Sequence, residues 1–224
     1  MGLNANNVPR TGKVTPAIEA GAYPARLVQV IDLGLQPQRP FEGKEKEPAF
    51  MMATTYEMSD EFMKDEDGQD MKDKPRFVSE DFPLFSLDQE KAKSTKRYLS
   101  LDPNRVHGGD WVKLLGTPAT VALVVNKSAK GNEYNNVVGV GAMRPKDVEK
   151  LPALVNEPKF FDLDDPDIAV FMSLPKFIQE RIKTNLNFKA SKLEALLEEA
   201  GKDNKVPNSP AKDTSESIDD SNPY

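Results

Sequence analysis

The chain has a single histidine, His107, set in the glycine-rich stretch Val106-His-Gly-Gly109, and it has no cysteine. A catalytic imidazole needs an orienting carboxylate and a nucleophile close by, and no local motif supplies them. His107 therefore reads as an exposed loop residue. The lack of cysteine removes disulfides, zinc knuckles and thiol chemistry, and a reducing compartment fits it. Two acidic stretches invite a metal reading. In Asp65-Glu-Asp-Gly-Gln-Asp70, placing Gly68 at position six of an EF-hand loop puts Met63 at position one and Lys74 at position twelve. Both positions need an oxygen ligand, so the motif fails. Asp162, Asp164, Asp165 and Asp167 could hold a divalent ion as in a nuclease. A solvated turn capping the following helix explains them with less machinery. No phosphate-binding loop or dinucleotide fingerprint is present. The residues assign no catalytic group, metal or cofactor.

A simpler chemistry needs only cations and exposed rings. Binding to unpaired nucleic acid uses a basic groove along the backbone and aromatic faces on which bases stack. Candidate cations are Arg26, Arg39, Lys44, Lys46, Arg76, Lys127 and Lys130, with Tyr134 beside the last two. Tyr56, Phe77 and Phe82 either stack bases or pack in the core. Lys91, Lys93, Lys96 and Arg97 form either a phosphate-binding stripe or a solvated helix face.

The net charge of −6 looks unfavourable for such a ligand, but the acid is segregated. The window Glu57–Asp73 carries −6 and the segment from Asp213 onward −4, which leaves +4 on the rest. Phosphates respond to charges within about a Debye length, roughly 8–10 Å, so the local field decides. The chain's 224 residues, 38% of them hydrophobic, suffice for one sizeable core with extensions. Its mean hydropathy of −0.58 is that of a soluble protein. No apolar run approaches the roughly 18 residues of a membrane span, and Met1 to Thr15 is too polar for a signal peptide.

The elements that must position these groups follow from pattern. Residues 1–20 read as an irregular arm. Ala22–Asp32 is a strand closed by Gly34, and Leu35–Pro48 a long basic loop. Phe50–Met58 and Pro75–Leu84 pair as strands two and three around Asp67-Gly68, a hairpin turn signal, so the acidic window projects as a loop. Ser86-Leu-Asp-Gln89 matches a capping box and predicts a helix from Leu87 to Leu101. Asp110–Leu115 is a short helical turn. Pro118–Asn126 and Glu133–Met143 are strands four and five, and Gly139 and Gly141 suggest a bulge or barrel corner in the latter. Three strands, a helix and two strands is the order of a five-stranded OB-fold barrel, so residues 21–145 are expected to be a mainly β core. Residues 146–200 read as a helical extension. Pro175 sits in the first turn of one helix, and Ser191-Lys-Leu-Glu194 caps another that ends at Gly201. Residues 201–224 read as a disordered acidic tail.

Gly21-Ala-Tyr-Pro-Ala-Arg-Leu-Val-Gln-Val-Ile-Asp-Leu-Gly34, Lys91-Ala-Lys-Ser-Thr-Lys-Arg-Tyr98, Gly116-Thr-Pro118 and Ala142-Met-Arg-Pro145 resemble segments of a single-stranded DNA-binding protein family of tailed bacteriophages. The similarity runs from about Gly21 to Asn187. It implies an OB-fold, sequence-independent binding of single strands, a role in phage replication or recombination, and the cytoplasm of an infected bacterium. The tail, with Asp213, Glu216, Asp219, Asp220 and the terminal Tyr224, is similar to the tails with which such proteins engage replication partners. It is shorter and less acidic than theirs, and ends in Tyr rather than Phe. A virion or assembly protein with a β-core is the alternative that the composition also fits. Oligomeric state stays open.

Overall fold

The computed structural model describes residues 16–40 and 42–203. Asp213, Glu216, Asp219, Asp220 and Tyr224, on which the tail reading rests, lie outside the described residues, as do residues 1–15 of the arm.

Five strands lie in the expected order: β1 (Gly21–Gln36), β2 (Ala49–Lys64), β3 (Asp70–Pro83), β4 (Pro118–Lys127) and β5 (Glu133–Ala142). Helix α1 (Lys93–Leu101) lies between β3 and β4. The antiparallel path runs β3-β2-β1-β4-β5. A sixth strand, β6 (Lys159–Phe161), pairs parallel with Gln29–Ile31 of β1. The protein is thus mainly β, with one six-stranded sheet. The closed barrel expected from the strand order is corrected here: β3 and β5 come within 8 Å between Cα atoms, but no ladder joins them, and the sheet stays open.

β1 organises the molecule because it carries two bulges. Leu27 faces Tyr56 and Gln29 faces Thr55, leaving Val28 as an extra residue, and Leu33 is extra between Asp32 and Gly34. An inserted residue reverses the alternation of side chains beyond it. Leu27 and Ala25 therefore point into the curl of the sheet, whereas Ile31 and Leu33 point out of it. The inner core joins Leu27, Tyr56, Met58, Val78, Phe82, Tyr98, Trp111, Val121 and Val140. The outer core packs Ile31, Leu33, Met51 and Ala53 against a C-terminal layer through Phe171, Leu174, Ile182 and Leu193.

That layer consists of α2 (Pro145–Val148), β6, α3 (Ile168–Ser173), α4 (Lys176–Lys183) and α5 (Lys192–Asp203). Asp167 caps α3 by accepting from the Ala169 and Val170 N–H groups at 2.7 and 3.1 Å, the role expected for this aspartate turn. Ser191 accepts from Glu194 N–H at 3.2 Å, while the Glu194 carboxylate takes the N–H of Ala190. α5 runs through Gly201 to Asp203, past its expected stop. Gly34 permits the layer's close approach: its φ is +73°, and a Cβ there would lie 2.8 Å from Asn185 and Leu163 side-chain atoms.

α1 is shorter than its sequence signal. Ser86 does not cap it. The Ser94 hydroxyl accepts from Phe85 N–H at 3.0 Å and Thr95 donates to the Ser86 carbonyl, so the helix begins six residues later than expected. These two hydroxyls, in the first turn of the helix, tie it back to residues 85 and 86. The β5 bulge is present, with Val138 unpaired between Val137 and Gly139.

Candidate nucleic-acid interface

The outer face of β1, β2 and β3 forms the floor of a groove of about 540 Å³, within the range typical of ligand sites. Across the floor, Gln29, Thr55 and Ser79 sit side by side in register. The Thr55 hydroxyl donates to Gln29 Oε1 at 3.2 Å and lies 2.9 Å from the Ser79 hydroxyl. One wall is the chain from Asn156 to Lys159. The other is α4 with its approach, contributing Ser173, Pro175, Phe177, Ile178 and Arg181. Two rings stand open on this groove: Phe77 of β3 is 49% exposed and Phe177 of α4 is 71% exposed.

Polar anchors hold the walls. Glu57, 4% exposed on β2, accepts from Val155 N–H at 2.7 Å, Asn156 N–H at 3.1 Å and the Asn156 amide at 2.7 Å. Arg26 donates to the carbonyls of Pro152, Gly116 and Leu151 at 2.8, 2.9 and 3.4 Å. Arg181 pairs with Asp81 across the groove at 2.6 Å, and Lys159 donates to Ser173 at 3.2 Å. The Gln36 side chain donates to the Arg181 carbonyl at 2.9 Å, so this end of the groove adjoins the start of the β1–β2 loop. That loop carries Arg39, Lys44 and Lys46, all exposed, but Glu42, Glu45 and Glu47 alternate with them, so the loop is electrically balanced rather than basic as expected.

The sequence candidates divide sharply. Phe77, read as either a stacking ring or core, lines the groove and is exposed, and Tyr134 is exposed on β5. The two loops that carry candidate cations do not converge: the β1–β2 loop leaves the Gln36 end of β1, whereas Lys127 and Lys130 lie beyond its Gly21 end. Lys127 there pairs with Glu133. Tyr56 is a correction. It is fully buried in the inner core, where burial pushes its hydroxyl above the usual tyrosine value, and no base can stack on it. Phe82 is core as well. Arg97 is a second correction. It turns inward and clasps Glu80 with two bonds of 2.7 and 3.0 Å, beneath Lys93 at 2.8 Å from the same carboxylate. Lys91 precedes α1, which leaves Lys96 on the helix's open side, so the expected cationic stripe is broken. Arg26 and Arg76 serve the fold, the latter donating to the Pro16 carbonyl. Glu57 corrects the picture of a wholly projecting acidic window.

Phe177, Arg181, Lys159 and Glu157 carry no local sequence signal, because the first two reach the groove through the packing of α4 on the sheet and the last two through β6, a three-residue strand. Elsewhere, Asp102 ties down the His107 loop. Burial alone would raise its pKa, but the N–H groups of His107 and Val106 and the Tyr98 hydroxyl more than reverse this and hold it below the usual carboxylate range. His107 is half-buried rather than exposed. Among the described residues, no set of three metal-ligating side chains converges, and no helix is long and apolar enough to cross a membrane. No protein-family model, curated protein or solved structure matches the chain.

Proposed function

We propose that the chain is a non-enzymatic, OB-like single-stranded DNA-binding protein that binds without strict sequence dependence on the outer face of β1–β3. The observation that carries this reading is the groove itself. It holds two exposed rings, Phe77 and Phe177, and one end opens on the β1–β2 loop, where exposed cations alternate with glutamates. Rings stack on the π-face of any base, while cations beyond them meet phosphates. Support also comes from the strand order, with a helix between β3 and β4 and a sheet curled until its end strands nearly meet, as in a partly open OB-fold. The groove interior is electrically balanced, with Lys159 and Arg181 facing Asp81 and Glu157, so phosphate contacts would fall to individual loop cations such as Arg39 and Lys44, and base stacking on the rings would supply the larger share of affinity. The sequence resemblance points the same way and extends the reading to phage replication or recombination in the cytoplasm of an infected bacterium. The tail would then recruit a replication partner.

Titration of fluorescent oligo-dT tests the proposal. Affinity should fall steeply with salt as counterions are released, and duplex of equal length should bind more weakly. Equal affinity for duplex and single strand would refute it. No binding at moderate salt would leave the assembly-protein alternative standing.

A further inference from the structure

Glu157 is out of place in a groove for an anionic polymer. Of the groove's carboxylates, Asp81 is neutralised by Arg181 at 2.6 Å and Glu80 by Arg97 and Lys93 on the inner side of β3. Glu157 is exposed and, among the described residues, has neither ion pair nor hydrogen bond from its side chain. It stands two residues before Lys159, whose backbone pairs with Gln29, so it rises beside the polar floor near the exposed rings.

We propose that Glu157 gives the groove a base preference: bases with an exocyclic amine over thymine. The inference rests on the single-strand reading of this groove. A carboxylate accepts hydrogen bonds and cannot donate them. In a DNA strand the phosphodiester and the deoxyribose ring oxygen are acceptors only, so within the strand a carboxylate finds donors only on base edges. Cytosine and adenine offer an amine, and guanine offers an amine beside its ring N–H. Thymine offers one ring N–H between two carbonyl oxygens, and both repel the carboxylate. The floor adds a complementary donor. Because Gln29 Oε1 is occupied by Thr55, the amide's own N–H groups are left for a base carbonyl, and cytosine carries a carbonyl as well as its amine. Stacking on Phe77 and Phe177 stays indifferent to base identity, so the preference is superimposed on general binding.

The experiment compares oligo-dC with oligo-dT of equal length, two weakly stacking pyrimidines, on the full-length protein and on Glu157→Gln at fixed salt. Wild type should bind dC about tenfold more tightly, the size of one good charged hydrogen bond. Glu157→Gln, an exposed substitution that leaves the core untouched, should bring the two ligands to within about twofold, mainly by tightening dT. Equal affinities in wild type, or a dC preference that survives in Glu157→Gln, would overturn the inference and leave single-strand binding standing. Failure to bind either oligonucleotide would end both.

Discussion

Strand β3 carries two carboxylates in succession, Glu80 and Asp81, and its two faces treat them oppositely. Glu80 points inward, its side chain 3% exposed, and is held by Arg97 and Lys93. Asp81 points outward, 43% exposed, and meets Arg181 of α4 at 2.6 Å. The shorter bond is not the more consequential one. Water screens the outer pair and would solvate either partner if the other were lost, which makes such pairs worth little. The inner pair has no such recourse, since a lone guanidinium in the core stays desolvated. The contrast extends along the strand: Val78, Glu80 and Phe82 build the interior, while Phe77, Ser79 and Asp81 face the groove. One face of β3 therefore sets stability and the other is free to serve a ligand.

The sharpest way to break this comparison is Glu80→Gln. It should destabilise the protein by about 3–5 kcal/mol in urea unfolding, because Arg97 is left charged and poorly matched. A loss below 1 kcal/mol would make the two faces equivalent. The rings come next. Phe77→Ala should weaken oligo-dT binding by about 1–3 kcal/mol, the value of one stacked base, with little change in the unfolding midpoint. Tyr56→Ala should do the reverse, lowering stability strongly and affecting binding only through folding. Should Phe77→Ala unfold the protein instead, the outer face is core. Acid titration sharpens the comparison on the inner side. Asp102 has a pKa depressed in the folded state, so its contribution is complete above the ordinary carboxylate value, about 3.9, and is lost as pH falls through the lower folded value. Asp102→Asn should therefore lower stability at neutral pH, and its deficit against wild type should shrink toward pH 2. A constant deficit across that range would contradict the assignment. The smallest effect belongs to Asp81→Asn, about 0.2–1 kcal/mol of stability and less at high salt.

Much of the sheet is legible from residue pattern, because each of the first five strands has its own alternation and turn chemistry. Asp67-Gly68 does form the β2–β3 turn, with Gly68 at φ +80°. Asp167 caps a helix because a carboxylate immediately before an apolar run is well placed to take that helix's first free N–H groups. Arg97 is not legible. It follows Lys93 by four residues, so the two share a helix face, and only the distant Glu80 decides that this face turns inward. The groove is not legible either. Its floor comes from three strands, but its walls depend on a three-residue strand and on Glu57 collecting N–H groups from residues 155 and 156, about a hundred positions away. Local signals cannot encode a wall that exists only through contacts of such range.

The Val28 bulge carries a last consequence. Because it reverses side-chain parity midway along β1, a single strand supplies Leu27 to one core and Ile31 with Leu33 to the other. The two cores have no independent existence, and melting one frays the shared backbone of the other. A fragment ending near Arg144 would leave Ile31, Leu33, Met51 and Ala53 facing water, so it should precipitate rather than behave as a minimal domain. The intact protein should instead melt in one cooperative step.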